Sequence, residues 1–425
     1  MRILFLSDFY PPIRAGGYAQ LCQEVAQGLG IRGHQVSILT SNYQHRLAPP
    51  EETNIFRKLH LEGALDYYRP LDFLLNWKRR YKKNLTILRE VVTRVKPDVL
   101  LVWNLRRLSK SLAGVAEQWI HPQTAYYLAG FWPVVENMHK AYWRTPPRHG
   151  YMRLSKRLIS FIALRQLSGV GSLEPGFRHV MCVSRGLKDA LVNKGLPVEG
   201  ATVVYNGIDL TQFSLKDTIN SNLNSSNPFR LIYAGQIIPQ KGVHTAVEAL
   251  DHLIRNRAIK NIHLTILGNG HPDYESYLRN LIVDRSLRDY IEFLPPIPRE
   301  QMPALLHRFN AMVLPSIYEE PLARSIQEAM ACGLVVLVTL TGGSKEIIID
   351  RENGLGFIPG DAESLASQLE RLISDPDLQD RLAKAGRKTI VERFDIRRTV
   401  DEIETYLSNI STSASAHLYS VASSE

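Results

Sequence analysis

Two carboxylates with seven residues between them, Glu320 and Glu328, stand in the segment "EEPLARSIQEAMACG" from Glu319 to Gly333. A helix starting near Leu322 and running through "ARSIQEAMA" leaves Glu320 in the loop before it and carries Glu328 about two turns in. Eight helical positions at ~1.5 Å each span about 12 Å. Two carboxyls acting on one bond stand roughly 5–10 Å apart, so this spacing does not suit a shared bond-breaking event. It suits the two ends of one elongated ligand. Between the acids lies the helix N-terminus, whose N–H groups and positive dipole end attract an anion. A ligand with hydroxyls at both ends and negative charge in the middle has the form of a nucleotide-diphosphate sugar. A surface helix with an acidic first turn would show the same two residues, and dipole logic alone would favour it.

The elements around this segment are short apolar runs alternating with amphipathic stretches, the pattern of βαβ units on a parallel sheet. In the first half "RILFLSD", "QVSILTS", "DVLLVW", "AYYLAG", "HVMCVS" and "ATVVYN" read as strands. "YPPIRAGGYAQ" reads as a glycine-bearing loop and "LCQEVAQGLGIRGH" as the helix after it. In the second half "FRLIYAGQ", "HLTILGNG", "IEFLP", "AMVLPS" and "GLVVLVT" read as strands. "SLKDTINSNLNSSNP" (Ser214–Pro228) is Ser/Asn-rich and closes on proline, as an interdomain linker does. The expected organisation is a domain over 1–213, a linker over 214–228 and a second domain over 229–398. A C-terminal helix and polar tail over 399–425 are placed to pack back on the first domain. The fold class expected is α/β, two doubly wound Rossmann-like domains facing each other across a cleft, with ligands at the C-terminal ends of the strands.

A chain of 425 residues is too long for one core, which agrees with two domains. Cys22, Cys182 and Cys332 are scattered and form no CxxC pair, which argues against a disulfide framework or structural zinc and for a reducing, cytoplasmic compartment. "MRILFLSDFYPP" has too few apolar residues before Ser7-Asp8 for a signal-peptide core, and no run approaches the roughly 20 apolar residues of a membrane span. The net charge of +9 is uneven: residues 1–210 hold 29 Lys and Arg against 15 Asp and Glu, the remainder 22 against 27. A basic first half points to an anionic membrane surface, nucleic acid or an anionic substrate, or simply to a solvated surface. No nucleic-acid motif accompanies the charge, so a nucleic-acid partner is not expected.

"PSIYEEPLARSIQEAMACG" resembles the E-x7-E region of retaining glycosyltransferases of family 4, which have the GT-B fold. The resemblance extends in order over most of the chain. "FYPPIRAGGYAQLCQEVAQGLGIRGHQVSILTS" is similar to the family's opening glycine loop, helix and second strand. "VSRGLKDALVNKG" and "VVYNGIDLTQF" are similar to the close of its first domain. "LIYAGQIIPQKGVHTAVEAL", "LTILGNG" and "TGGSKEIIIDRENGLGFIPGD" are similar to its second. The ordered set is far more specific than any single motif. It implies a transferase of hexosyl groups, with a nucleotide sugar as donor, a glycan or lipid-linked acceptor, and a place in bacterial-type polysaccharide assembly.

The resemblance also implies roles. Glu320 would contact hydroxyls of the donor sugar and Glu328 the ribose, while Lys241 in "PQKG" would bind the diphosphate. Gly16 and Gly17 would let backbone approach the phosphates, where a side chain would collide; a plain turn is the alternative. Gly268 and Gly270 in "LGNG" would make a tight turn near the base, and a purely structural turn fits them nearly as well. Gly342, Gly343 and Glu346 read equally as fold residues. Lys241, Arg324 and helix N–H groups would stabilise charge on the departing diphosphate, so no metal and no cofactor are expected. The DxD-like "DPD" at Asp375–Asp377 reads as a helix cap.

Three positions depart from the family pattern. Gln236 stands where an arginine is usual, with Arg14 as a candidate substitute. Ala129-Gly130 stands where a histidine is usual, with His121 and His139 nearby. Leu322-Ala323 replaces Phe-Gly, and Ala323 can still offer its N–H at negative φ. These departures keep a second reading open: a degenerate GT-B scaffold that binds a nucleotide sugar or a partner without transfer. A GT-B epimerase or phosphorylase is a third.

"RPLDFLLNWKRRYKKNLTILREVVTRVK" (Arg69–Lys96) combines clustered cations with Phe73, Leu74, Trp77, Tyr81, Leu85, Leu88 and Val92 at helical spacing. It reads either as an amphipathic helix lying on anionic lipid, giving a peripheral place on the inner face of the plasma membrane, or as a surface helix packed by its apolar stripe. The aromatic-rich stretch after it, "YYLAGFWPVVENMHKAYWRTPPRHGYMRL", reads as part of the acceptor side.

Overall fold

Apolar runs rich in Val, Ile and Leu form two all-parallel sheets, as their near-continuous burial requires. The computed structural model describes all residues other than 14–15, 45–51, 64–67, 120–122, 148–152, 169–172, 216–227 and 423–425. Arg14, His121 and most of the Ser214–Pro228 stretch therefore lie outside the described residues.

The chain runs through β1 (Arg2–Ser7), α1 (Gly17–Ile31), β2 (Gln35–Ser41), β3 (Ile55–Leu59), α2 (Pro70–Val95), β4 (Val99–Asn104) and α3 (Ser111–Trp119). It continues with β5 (Gln123–Leu128), α4 (Met138–Arg144), α5 (Arg153–Ser168), β6 (His179–Cys182), α6 (Arg185–Asn193) and β7 (Thr202–Val203). The second sheet is built from β8 (Phe229–Ala234), β9 (Ile262–Leu267), β10 (Ile291–Leu294), β11 (Ala311–Leu314), β12 (Val335–Thr339) and β13 (Leu355–Phe357). Between these strands lie α7 (Val243–Asp251), α8 (Pro272–Asp284), α9 (Met302–Leu306), α10 (Arg324–Ala331) and α11 (Ser344–Ile347). Three helices follow: α12 (Ala362–Ser374), α13 (Pro376–Arg393) and α14 (Ile396–Ala422).

The sheets run in the orders β3-β2-β1-β4-β5-β6-β7 and β10-β9-β8-β11-β12-β13. Both are the doubly wound Rossmann order, which reverses between β1 and β4 and again between β8 and β11. Ile3 stands opposite Val99 and Ala311 opposite both Leu231 and Val335, and the register shifts after Leu6 in β1–β4 and after Thr40 in β2–β3. The strands read from sequence are all present to within a few residues, and β3 and β13 are additional. Both are short edge strands: in β3 the adjacent Arg57 and Lys58 interrupt the apolar residues and β13 carries a central glycine, so neither has the long apolar run of a buried strand.

One compact unit holds Met1–Val183, Lys188–Val204 and the chain from Val400 onward; the other holds Ser184–Leu187 and Tyr205–Thr399. The division falls after Val204, ahead of Ser214. In the first unit α14 is pinned by Arg32, which meets Asp401 and Glu404 at 2.6 Å each, and by His34, which meets Glu404 at 2.7 Å.

The stripe of α2 is turned inward. Phe73 and Trp77 pack with Trp143 of α4 and with Ala163 and Leu167 of α5, and Tyr81 and Leu88 are buried as well. The lipid-facing reading of that stripe is thereby corrected, because packing against α4 and α5 removes it from solvent. Within the aromatic-rich stretch only Met138–Arg144 (α4) and the start of α5 are helical among the described residues, and Trp132, His139 and Trp143 are buried. His139 is buried against the Tyr68 hydroxyl at 2.9 Å, and burial lowers its pKa to about 4.

Candidate functional site

The second sheet's order reverses between β8 and β11, and the loops leaving those two strands bring Lys241 and Glu320 together. After β8 the chain makes one 3-10 turn, Pro239–Lys241, and Gly242 then opens α7. Gly242 has φ +63°, and a Cβ there would fall 2.0 Å from the Pro315 carbonyl oxygen, so only glycine lets this turn abut the segment after β11. That approach seats Lys241 Nζ 2.5 Å from Glu320 Oε1. Ser316 Oγ donates to the same oxygen, and the Tyr318 hydroxyl donates to Oε2 at 3.0 Å. Glu320 is 3% exposed. A carboxylate this buried is tolerable when a cation and two hydroxyls hold it. Lys241 also donates to the Tyr318 hydroxyl at 3.3 Å. These two bonds use two of its three N–H groups.

Helix α10 begins at Arg324, two residues later than the sequence suggests. Ala323 is its N-cap at φ −75°, no side chain caps it, and no acid lies in its first turn. The acidic-first-turn reading of the two glutamates therefore fails. The backbone of Glu320 is fixed from the far side, where its carbonyl accepts from the Gly343 N–H at 2.7 Å. Leu322 is buried and its carbonyl accepts from Asn206 Nδ2 at 3.3 Å. Asn206 in turn receives Gln327 Nε2 through its backbone oxygen at 2.9 Å and its side-chain oxygen at 3.0 Å.

Glu328, in the second turn of α10, is 8% exposed and ion-pairs with Arg299. Arg299 begins the 3-10 turn after β10 and lies over the Phe213 ring at 4.8 Å. Sequence reasoning passed it over. The available signal was a single arginine in the proline-marked "PPIPRE" turn, able to neutralise an acid that a buried helix face could not hold alone.

Gln236 is exposed, and its carbonyl accepts from the Tyr233 hydroxyl at 2.6 Å. Gly268 and Gly270 press on the Gly235–Ile237 backbone: added Cβ atoms would come within 1.9 Å of the Gly235 oxygen and 1.7 Å of the Ile237 oxygen. Packing alone accounts for both glycines. Glu346 accepts from the Arg185 and Gly186 N–H groups at 3.0 and 2.8 Å and so starts α6. Asp375 caps α13 through the Leu378 N–H at 2.9 Å.

Gly16 and Gly17 belong to the other unit, where the first sheet's order reverses. Gly16, at φ +84°, precedes α1, and Gly17 is its first residue rather than part of the loop. Tyr18 anchors the turn: its hydroxyl is shared between the Trp103 and Tyr127 carbonyls and accepts from the Ala129 N–H at 3.3 Å. Asp8, at the end of β1, was not foreseen. Its carboxylate is buried and accepts from the Phe9 and Arg107 N–H groups at 2.9 and 3.2 Å; burial pushes its pKa up to about 7.

Comparison with known proteins defines the class. Sucrose-phosphate synthase of Thermosynechococcus elongatus superposes with a TM-score of 0.69 at 19% identity, covering 97% of this chain and 99% of that one. Anabaena HepE, solved in complex with UDP-glucose, gives 0.69 at 19% identity over 96% and 99%. The fold is GT-B. In sequence, an uncharacterized glycosyltransferase of Methanocaldococcus jannaschii is 25% identical over 93% of this chain and 94% of its own, and the glycogen synthase of Mycobacterium tuberculosis is 25% identical over 93% and 91%. Residues 15–212 match the Glycosyltransferase Family 4 model and residues 216–389 the Glycosyl transferases group 1 model. The chain belongs to the family 4 type of glycosyltransferase.

Proposed function

We propose that the chain transfers a sugar from a nucleotide-diphosphate sugar to a glycan or lipid-linked acceptor, with retention of anomeric configuration and without a metal. The observation that carries the donor reading is the buried Lys241–Glu320 pair beside the uncapped start of α10, where the strand order reverses. Glu320 accepts from hydroxyls of the sugar, and Glu328 accepts from the ribose while Arg299 holds it. The third N–H of Lys241, the Arg324 guanidinium and the first N–H groups of α10 meet the diphosphate as negative charge develops on it. The UDP and UDP-glucose complexes of HepE support this class of donor. Retention follows the family, and positive charge already present on the protein supports metal independence.

A thermal-shift panel of nucleotides and nucleotide sugars tests the reading. A donor at a hundredfold excess over its Kd stabilises by about 2.7 kcal/mol. The expected outcome is a nucleotide-sugar hit that Glu328→Ala abolishes, with transfer unaffected by EDTA. No hit across the panel would instead favour a scaffold that has lost transfer.

A further inference from the structure

Helix α5 has two apolar faces, and the fold covers only one. Ala163 and Leu167 point into the cluster shared with α2 and α4. On the other side Leu158, Phe161 and Ile162, spaced i, i+3, i+4, are 65%, 64% and 55% exposed. A soluble helix normally turns charged residues outward at such positions. The charges that α5 does carry are all positive: Arg153, Lys156, Arg157 and Arg165, with no acid in the helix. Lys156 sits over the Tyr142 ring at 4.5 Å, whereas Arg157 and Arg165 are exposed beside the apolar stripe. The neighbouring α2 repeats the combination, with Leu71 and Leu75 exposed ahead of exposed Lys78, Arg79, Lys82 and Lys83.

We propose that the outer face of α5 lies on an anionic lipid surface, its stripe entering the headgroup–acyl boundary while Arg157 and Arg165 meet lipid phosphates. Among the described residues no helix is long and apolar enough to cross a membrane, so the contact is interfacial. Charge selects the occupant. A second copy would set cation against cation, whereas an anionic bilayer complements both the helix and the basic face of α2. This replaces the buried stripe of α2 as the lipid-binding element, and it stands apart from the donor reading, which needs no lipid.

The experiment is flotation of the full chain with phosphatidylcholine vesicles, with and without phosphatidylglycerol, compared with two variants whose melting curves are recorded alongside. Wild type is expected to float with the anionic vesicles only. Leu158→Ser/Phe161→Ser/Ile162→Ser is expected to lower partitioning on the order of tenfold or more, and Arg157→Glu/Arg165→Glu to lower it comparably at low salt. Absence of wild-type flotation with anionic vesicles overturns the proposal. So does unchanged flotation of the two variants. Sedimentation without vesicles provides the last arm: a wild-type dimer that the triple serine variant dissolves would assign the face to self-association and overturn the lipid reading. Should the triple variant melt early, the charge variant decides.

Discussion

The two sheets share one strand order, yet their buried acids are held in opposite ways. In the second unit each buried glutamate of the α10 segment has a cation: Glu320 has Lys241 and Glu328 has Arg299. In the first unit Asp8 and Glu62 are buried with neutral donors. Asp8 relies on the Phe9 and Arg107 N–H groups, and Glu62 on Trp77 Nε1 and Asn137 Nδ2 at 3.2 Å each. Burial pushes both of these carboxyls up, Asp8 to about 7. A cation offsets the cost of burying a carboxylate, whereas amide and indole donors offset it only in part, and burial raises Asp8 and Glu62 for that reason. One topology therefore carries ion-paired buried acids in one unit and buried acids held by neutral donors in the other.

The most severe way to break this contrast is Lys241→Ala. It should lower the transfer rate by about 10²–10³, as loss of a preorganised charge does. It should also cost roughly 3 kcal/mol of stability by leaving Glu320 buried and unpaired. Adding Glu320→Gln to that variant should restore the melting temperature and leave transfer abolished, which calorimetry beside a donor-turnover assay would show.

Asp8→Asn probes the other side. Because the folded state raises this carboxyl above its unfolded value of about 3.9, the wild type should lose stability as pH rises from about 4 to about 7. The asparagine variant should lack that slope, and melting curves across this range compare the two directly. Arg299→Ala should weaken nucleotide binding roughly tenfold by freeing Glu328 from its partner. Titration calorimetry should find it non-additive with Glu328→Ala, since the two residues act as one unit. The smallest effect is expected at Glu62→Gln, about 1 kcal/mol or less in urea unfolding, because one oxygen still accepts from Trp77 or Asn137.

Much of the second unit was legible from sequence because its signals are local. The strand-turn-helix around "PQKG" belongs to the β8–α7 unit and the seven-residue spacing of the glutamates to the β11–α10 unit, each read within a single βα unit. The Lys241–Glu320 pair joins residues 79 apart in sequence; the family resemblance assigned each a contact with the donor but did not pair them. Arg299 was missed because its partner lies 29 residues away and its proline-marked turn does not indicate which acid it meets. Asp8 was quoted at the end of its strand yet overlooked, since its raised pKa depends on burial that the tripeptide "LSD" does not encode. The stripe of α2 was recognised, but its direction was not: periodicity marks an apolar face without saying whether protein or lipid covers it. α5 presents the converse case, a helix whose two faces only the fold could distinguish.

The return of α14 to the first unit also sets an order of assembly during synthesis. The surface around Gly28 and Arg32 is translated early, but the helix that covers it, from Val400 with its methyls against Gly28 to Glu404 on Arg32, emerges only after the whole second unit has been made. The ribosome therefore delivers a complete second unit while the first still lacks its covering helix, and that early-made surface is the one a chaperone would meet.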